Sequence, residues 1–386
     1  IMLAFFLEEE QHQKPMKLPT RGRYGRGGGG VRVVQCGATA LIFCLLWITW
    51  STLRYFAAFG NGAGEGQRFR SADQSTTLAR ADRPDDWNGP RLKVAYAITI
   101  TKDGPYLDGA VVLKHSVDLL PSRHDVSFVA IVHPEVQSTR PALLRAGFEI
   151  EEFELPIDSS EIQGEYLRET IDKSGCCGAS ELLKLRAYQL ERFDRVVLLD
   201  MDTLIVKSIE HLFDIQKEAI FTYDEAMHSG GAAPPVQGGF LVLKPNSKTF
   251  EQMIDIVREG DFRPGTGWAG THIGWCWGGQ TFQGLVSYYY NRISPGEMKT
   301  VDKCIYNAMV STKDCEQTPF DSINSLHFTV CQKPWDCRPS DKPLCVRMIK
   351  EWWDVRRSLE RKWNLKESMI DGCRSRHREY TTIQIP

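Results

Sequence analysis

Charge of one sign is what this sequence has least to spare: 47 Lys and Arg stand against 49 Asp and Glu, a net charge of -2 over 386 residues. No basic stripe is expected, and nucleic acid is not expected as a partner. No Cys-x-x-Cys stands with a second such pair or with a His-x-His, so the usual spacing of a zinc site is missing. The one long apolar run lacks a small-residue cleavage signal and exceeds a secretory signal core in length. The final residues are not a retrieval signal of the Lys-Asp-Glu-Leu kind.

What is present is ordinary globular material, 42% apolar and 25% charged, in a chain long enough for one large catalytic domain with accessory segments. Cysteine is plentiful, and nine of the 11 follow Gly175 in a stretch otherwise suited to a folded domain. An oxidising compartment is expected, with disulfides whose connectivity the spacing leaves open.

Ile1 is no initiator, and Met2 and Met16 are candidate starts. Residues 1–32 read as a flexible basic tail. Gly22, Gly25 and Gly27 to Gly30 alternate with Arg21, Arg23, Arg26 and Arg32, but no strand precedes them as a phosphate loop requires. Val33 to Leu53 contains no charge; as a helix it spans roughly 31 Å, matching a bilayer core. Trp47 and Trp50 suit the membrane interface at one end. Basic residues crowd the near side of this span, so a single transmembrane helix with a cytosolic N-terminus is expected. Residues 54–90, rich in Gly, Ser and Pro, read as a flexible stem, and 91–386 as a lumenal domain.

Within that domain, strands are expected at Leu92 to Thr101, Val126 to Val132, Phe148 to Leu155, Val196 to Leu199, Ala219 to Tyr223, Phe240 to Leu243 and Leu326 to Thr329. Gly238 and Gly239 are read as opening the strand at Phe240. Helices are expected between them, around Ala110 to Leu120, over Arg140 to Gly147, after Ser180 as N-cap, around Phe250 to Val257 with Gly260 as the stop, and over Gln283 to Tyr290. Such alternation implies an α/β sheet with helices on both faces. Thr266 to Gly279, with five glycines and three tryptophans, reads either as a mobile loop over the site or as a packed aromatic loop. Val346, Ile349, Trp352, Trp353, Leu359 and Trp363 describe a terminal amphipathic helix that packs into the core.

The chemistry centres on Asp200-Met201-Asp202. A short unbroken apolar run, Val196 to Leu199, suits a parallel strand buried on both faces, and ligands of open α/β sheets sit beyond the carboxyl ends of such strands. Residues two apart in extended chain point the same way, so Asp200 and Asp202 can converge on one cation.

The order of several motifs from Leu92 to Trp335 resembles the glycogenin-like family, glycosyltransferase family eight, of retaining nucleotide-sugar transferases. That resemblance implies a GT-A fold, Rossmann-like, with a mixed, mainly parallel sheet. It implies that Ala95 to Thr101 with Tyr106 holds a uracil, making Ile100, Thr101 and Tyr106 nucleotide-binding candidates. In Leu183-Lys184-Leu185-Arg186-Ala187-Tyr188 it marks Lys184 as a donor contact. His327 opens a His-Phe-x-x-x-x-Lys-Pro-Trp motif, which implies a third metal ligand and a phosphate-binding Lys333. Gln237-Gly238-Gly239 stands where the family has Asn-Ser-Gly, so Gln237 and Gly239 are sugar-side candidates, and Gln283 lies in the matching Phe282-Gln283-Gly284-Leu285. The acid usual at the position of Phe282 is absent, and Val330 replaces a glycine of the closing motif. The string from Gly278 to Gly284 looks more like the plant branch that transfers glucuronate to inositol phosphoryl ceramide.

Two carboxylates, one imidazole and diphosphate oxygens suit a hard divalent cation, with the imidazole favouring Mn²⁺ over Mg²⁺. The expectation is an enzyme that transfers a sugar from a UDP-sugar to a glycan, glycolipid or protein acceptor with retention. Without the usual acid, same-face attack steered by the departing phosphate is preferred to a covalent enzyme intermediate. The rivals are a nucleotide- or glycan-binding pseudoenzyme and a self-glucosylating primer. Topology and class together suggest the Golgi membrane, or that of the endoplasmic reticulum.

Overall fold

The central strands are built from residues that can be buried on either side. β1 (Lys93–Ile100) sends Ala95 and Ala97 into one core and Val94, Tyr96, Ile98 and Ile100 into the other. This period-two division lets a Val/Ile/Ala-rich strand sit between two layers. The computed structural model describes residues 89–386 apart from 105, 228–230, 275–277, 369–372 and 374–379, all within the second of the chain's two units, Asn61–Pro386. The basic tail, the apolar run 33–53 and the stem up to residue 88 therefore lie outside the described residues. Among the described residues, no helix is long and apolar enough to cross a membrane.

After β1 come α1 (Leu107–Asp118), β2 (Asp125–Val132), α2 (Arg140–Arg145), β3 (Glu149–Glu152) and α3 (Glu165–Thr170). A 3-10 helix over Gly178–Gln189 leads into β4 (Arg195–Leu199), followed by β5 (Thr203–Ile205), β6 (Ala219–Tyr223), β7 (Val236–Leu243) and α4 (Ser247–Glu259). Next are β8 (Phe262–Arg263), β9 (Gly267–Trp268), α5 (Phe282–Tyr288), β10 (Met298–Thr300), α6 (Lys303–Tyr306), α7 (Lys313–Glu316), β11 (Ser325–His327) and α8 (Pro343–Lys362).

Seven strands form the main sheet in the order β10-β6-β7-β4-β1-β2-β3. β1 lies parallel to β2 and β4, β2 to β3, and β6 to β10, whereas β7 runs antiparallel to β4 and β6. The result is the expected mixed, mainly parallel α/β sheet. α1 packs Ala110, Leu113 and Val117 on one face, and α4 packs Phe250, Met253 and Val257 on the other. The chain leaves β1 toward β2, while β4 flanks β1 on the opposite side, which makes the gap between β1 and β4 a place where ligands of such sheets bind.

Several sequence expectations need correction. Ser180 caps nothing: it lies inside the 3-10 helix, whose N-cap is Cys177 without a side-chain cap. The entry is set by Gly178 at φ +58, where a Cβ would stand 2.3 Å from the Asp172 carbonyl oxygen. Gly238 and Gly239 do not open a strand but lie within β7, buried on both sides. β11 is not part of the main sheet; it pairs antiparallel with β5 in a separate two-stranded sheet. Part of the glycine-rich loop is regular, because β8 and β9 form a small hairpin and Trp268 is buried, donating from Nε1 to the Gly279 carbonyl. In α8, Trp352, Trp353 and Leu359 pack as expected, but Val346 faces outward.

The expected disulfides are Cys304–Cys315, Cys331–Cys345 and Cys337–Cys373. They bracket the segment that carries Asn307, His327 and Lys333, fixing a loop-rich stretch that has little regular structure of its own.

Candidate active site

β4 is fully buried and delivers Asp200 and Asp202 at its carboxyl end. The turn between them is closed by its own backbone. The Asp200 N–H donates to the Gly239 carbonyl at 3.3 Å, and the Thr203 N–H and hydroxyl donate to the Asp200 carbonyl at 3.1 and 2.7 Å. β5 then pairs Thr203 with His327 across β11, and the Phe328 N–H donates to the Asp202 carbonyl at 2.8 Å. A contact spanning more than a hundred residues is thus set by strand register.

His327 Nε2 lies 3.3 Å from Asp202 Oδ1 and 3.9 Å from Asp200 Oδ2. One ligand atom from each of the three side chains falls within 4.8 Å of the others. The imidazole is oriented from behind: Nδ1 faces Asn307 Oδ1 at 2.9 Å, while Asn307 Nδ2 faces Gln237 Oε1 at 2.8 Å and Thr222 Oγ1 at 3.0 Å. The Gly239 backbone N–H, which can only donate, points at Gln237 Oε1 at 2.7 Å. Starting from that donor, the order of the chain follows: Gln237 presents oxygen, Asn307 answers with its NH₂, and its own oxygen accepts from Nδ1–H of His327. Nε2 is left to the carboxylates. Two carboxylate oxygens and this nitrogen converge within metal-ligand reach, and the donor set fits a divalent metal held by Asp200, Asp202 and His327.

Two lysines flank the acids. Lys184 Nζ lies 2.8 Å from Asp200 Oδ1, 3.1 Å from Glu181 and 3.3 Å from the Gly238 carbonyl. Lys333 pairs with Asp202 Oδ2 and donates to the Phe328 carbonyl at 3.3 Å. The two carboxyls are driven apart. Burial pushes Asp200 up despite Lys184, whereas Asp202, against its own burial, is held well below the usual range by His327 and Lys333. Burial opposes the charge on Lys184, but Asp200 and Glu181 hold its ammonium above the usual lysine range.

Gly239 makes room for this arrangement, since a Cβ there would stand 2.4 Å from Cε1 of His327. On Gly238 a Cβ would meet Lys184 Nζ at 3.2 Å and Gln283 Cγ at 3.4 Å, which places Gln283 beside the lysine. Gln237 is buried, and its Oε1 accepts two hydrogen bonds. Phe282 is buried, with Lys184 Nζ 5.8 Å from its ring centre, so the position of the missing acid is apolar.

Asp200, Asp202, His327, Lys184, Lys333, Gly239, Gln237 and Gln283 thus form one neighbourhood. Ile100, Thr101 and Tyr106 lie at the neighbouring strand end, and no hydrogen bond joins them to the acids. Ile100 packs its side chain into the core, Thr101 is half-buried, and Tyr106 is exposed at the start of α1. That helix start abuts the acid turn, since a Cβ on Gly109 would stand 2.5 Å from the Met201 carbonyl and 2.7 Å from the Trp335 ring. Val330 is exposed. Sequence reasoning missed Glu181 and Asn307. Glu181 carried a signal in its three-residue spacing from Lys184; Asn307 carried none.

No family model matches the chain. Glycogenin-1 of Oryctolagus cuniculus is 23% identical over 275 residues, spanning 67% of this chain and 74% of that protein. Galactinol synthase 6 of Arabidopsis thaliana is 22% identical over 324 residues, spanning 74% of this chain and 87% of that protein. Among solved structures, the bifunctional WbbM glycosyltransferase aligns with a TM-score of 0.45 at 14% identity, over 69% of this chain and half (50%) of that one.

Proposed function

We propose that the chain, which is similar to glycogenin-1 and to a galactinol synthase, is a glycogenin-like member of glycosyltransferase family eight, a metal-dependent retaining enzyme that moves a sugar from a UDP-sugar to a glycan, glycolipid or protein acceptor. The observation that carries this reading is the oriented His327, whose Nε2 faces both Asp200 and Asp202. Asp200, Asp202 and His327 hold the cation, Mn²⁺ in first place and Mg²⁺ in second. When bound, it neutralises the charge that develops on the departing diphosphate.

The protein's own groups supply the rest. Lys333, paired with Asp202, and Lys184, paired with Asp200, present ammonium groups beside the acids, where both can turn to phosphate oxygens. Gln283 and Gln237 are the polar groups nearest the sugar side, and the Gly238 backbone lies between them. Ile100, Thr101 and Tyr106, at the end of β1, form the uracil side. With Phe282 apolar, that position offers no nucleophile, which favours attack on the same face as the departing phosphate.

We also infer that residues 33–53 anchor the chain as a single-pass type II protein. Residues 1–32 are then cytosolic, 54–90 are a stem, and 91–386 lie in the lumen of the Golgi or endoplasmic reticulum. The uncharged run and the basic residues before it support this topology.

A screen of UDP-sugars by UDP release, with and without Mn²⁺, tests the activity. Asp202→Asn is expected to abolish the metal-dependent signal. Unchanged metal-dependent turnover in that variant sinks the assignment.

A further inference from the structure

Cys176 and Cys177 are adjacent, exposed and unbridged, in a chain whose six other described cysteines are all paired. Their Sγ atoms stand 2.9 Å apart, about 0.9 Å beyond the length of a disulfide bond. Gly175 at φ +65 and Gly178 at φ +58 flank the pair, so the loop is built from residues that tolerate local rearrangement. Cys176 Sγ also contacts Glu181 Oε1 at 3.5 Å, and Glu181 is the carboxylate that holds Lys184 at 3.1 Å.

Two chemistries suit such a cluster. Chelation of a soft metal has three donor atoms available, from Cys176, Cys177 and Glu181. The carboxylate is already neutralised by Lys184, and among the described residues the cluster has no fourth donor to close a tetrahedral zinc site. Thiol–disulfide exchange needs neither. The chain closes its other described cysteines as disulfides, so it matures where exchange partners exist.

We propose that Cys176 and Cys177 are a modification site that forms a reversible vicinal disulfide by exchange with a glutathione-type disulfide. The Cys177 sulfur attacks one sulfur of the external disulfide and releases the first thiol. Cys176 then attacks Sγ of Cys177 and releases the second. Two electrons pass to the external disulfide, and the two cysteine protons leave on the two released thiols. The contact between the two sulfurs holds the Cys177 thiol below the usual thiol range and pushes Cys176 up, which favours this order of attack.

Oxidation removes both S–H donors from beside Glu181. The Glu181 carboxylate is then left to Lys184 alone, and Lys184 is the group 2.8 Å from Asp200. Any effect on turnover rests on the transferase reading above; formation of the disulfide does not.

The test equilibrates the full chain with reduced or oxidised glutathione, alkylates free thiols and maps the peptides by mass spectrometry. At the oxidised poise, the peptide carrying both cysteines is expected to lose two hydrogens and to resist alkylation, and it should recover both labels at the reduced poise. If both cysteines remain alkylated at a poise that keeps the other three bridges closed, or if each carries a separate glutathione, the proposal is overturned. UDP release measured at the two poises is expected to differ by about two- to ten-fold, the worth of one or two hydrogen bonds, and not to differ in Cys177→Ser. Equal turnover with the disulfide formed removes the link to Lys184. Absence of turnover at both poises counts against the transferase reading and leaves the peptide map to decide the disulfide.

Discussion

Asn307 Oδ1 accepts from Nδ1 of His327 at 2.9 Å, and Asn307 is itself fixed by Gln237 Oε1 at 2.8 Å. This pair turns a buried histidine into a directed ligand, because it settles which ring nitrogen carries the proton and which faces Asp200 and Asp202. Asn307→Ala should therefore leave all three proposed ligands in place yet weaken Mn²⁺ binding by about 10- to 100-fold, as loss of a supporting partner does elsewhere. Calorimetric titration with Mn²⁺ checks this. Wild-type affinity in the variant would mean that the orientation of His327 is held by something other than Asn307.

Gly239→Ala tests the same site by steric means. The added methyl would lie 2.4 Å from Cε1 and 2.8 Å from Nδ1 of His327, and 3.0 Å from Gln237 Oε1. The ring and the amide must both shift. The expected outcome is a loss of about 1–3 kcal/mol of stability, with metal binding weakened beyond detection at millimolar Mn²⁺. Denaturant titration and Mn²⁺ titration of one preparation separate the two effects.

The Cys331–Cys345 bridge ties the loop bearing Lys333 to α8 across a sequence separation of 14. Replacing both cysteines by serine should cost about 2–4 kcal/mol in folding. It should also raise KM for the UDP-sugar more than it lowers kcat, since Lys333 reaches Asp202 from this loop. A fall in kcat alone, with KM unchanged, would assign the bridge to the fold only.

Much of this arrangement was legible from local pattern. Ala219 to Tyr223 forms a strand with the bounds that its β-branched and aromatic residues suggest, Gly260 ends α4 at φ +71, and Asp200-Met201-Asp202 follows a buried strand. His327 and Lys333 were found through motif order and then met the acids in space. What escaped notice depends on contacts between distant segments. Asn307 lies 20 residues from His327 and 70 from Gln237, in a stretch without periodicity. The glycines at 238 and 239 suggested a boundary, because a glycine weakens a strand. Their reason is tertiary, since the His327 ring and the Lys184 ammonium occupy the space that side chains would fill.

His115 supplies a pH dependence away from the site. It lies on α1, buried, with Nε2 3.1 Å from Ser358 Oγ on α8 and with Nδ1 lacking a hydrogen-bond partner. Burial, aided by Lys362, lowers its pKa to about 4. The unfolded chain binds this proton near pH 6.5, so the contribution to stability is fully present above that pH and is lost as pH falls through the folded value. Between pH 7 and pH 4 the loss is on the order of 2–3 kcal/mol for this one group. Urea denaturation at pH 7 and pH 5 measures it, and His115→Asn should flatten the slope by the share that belongs to this side chain. An unchanged slope in the variant would transfer the acid sensitivity to other groups.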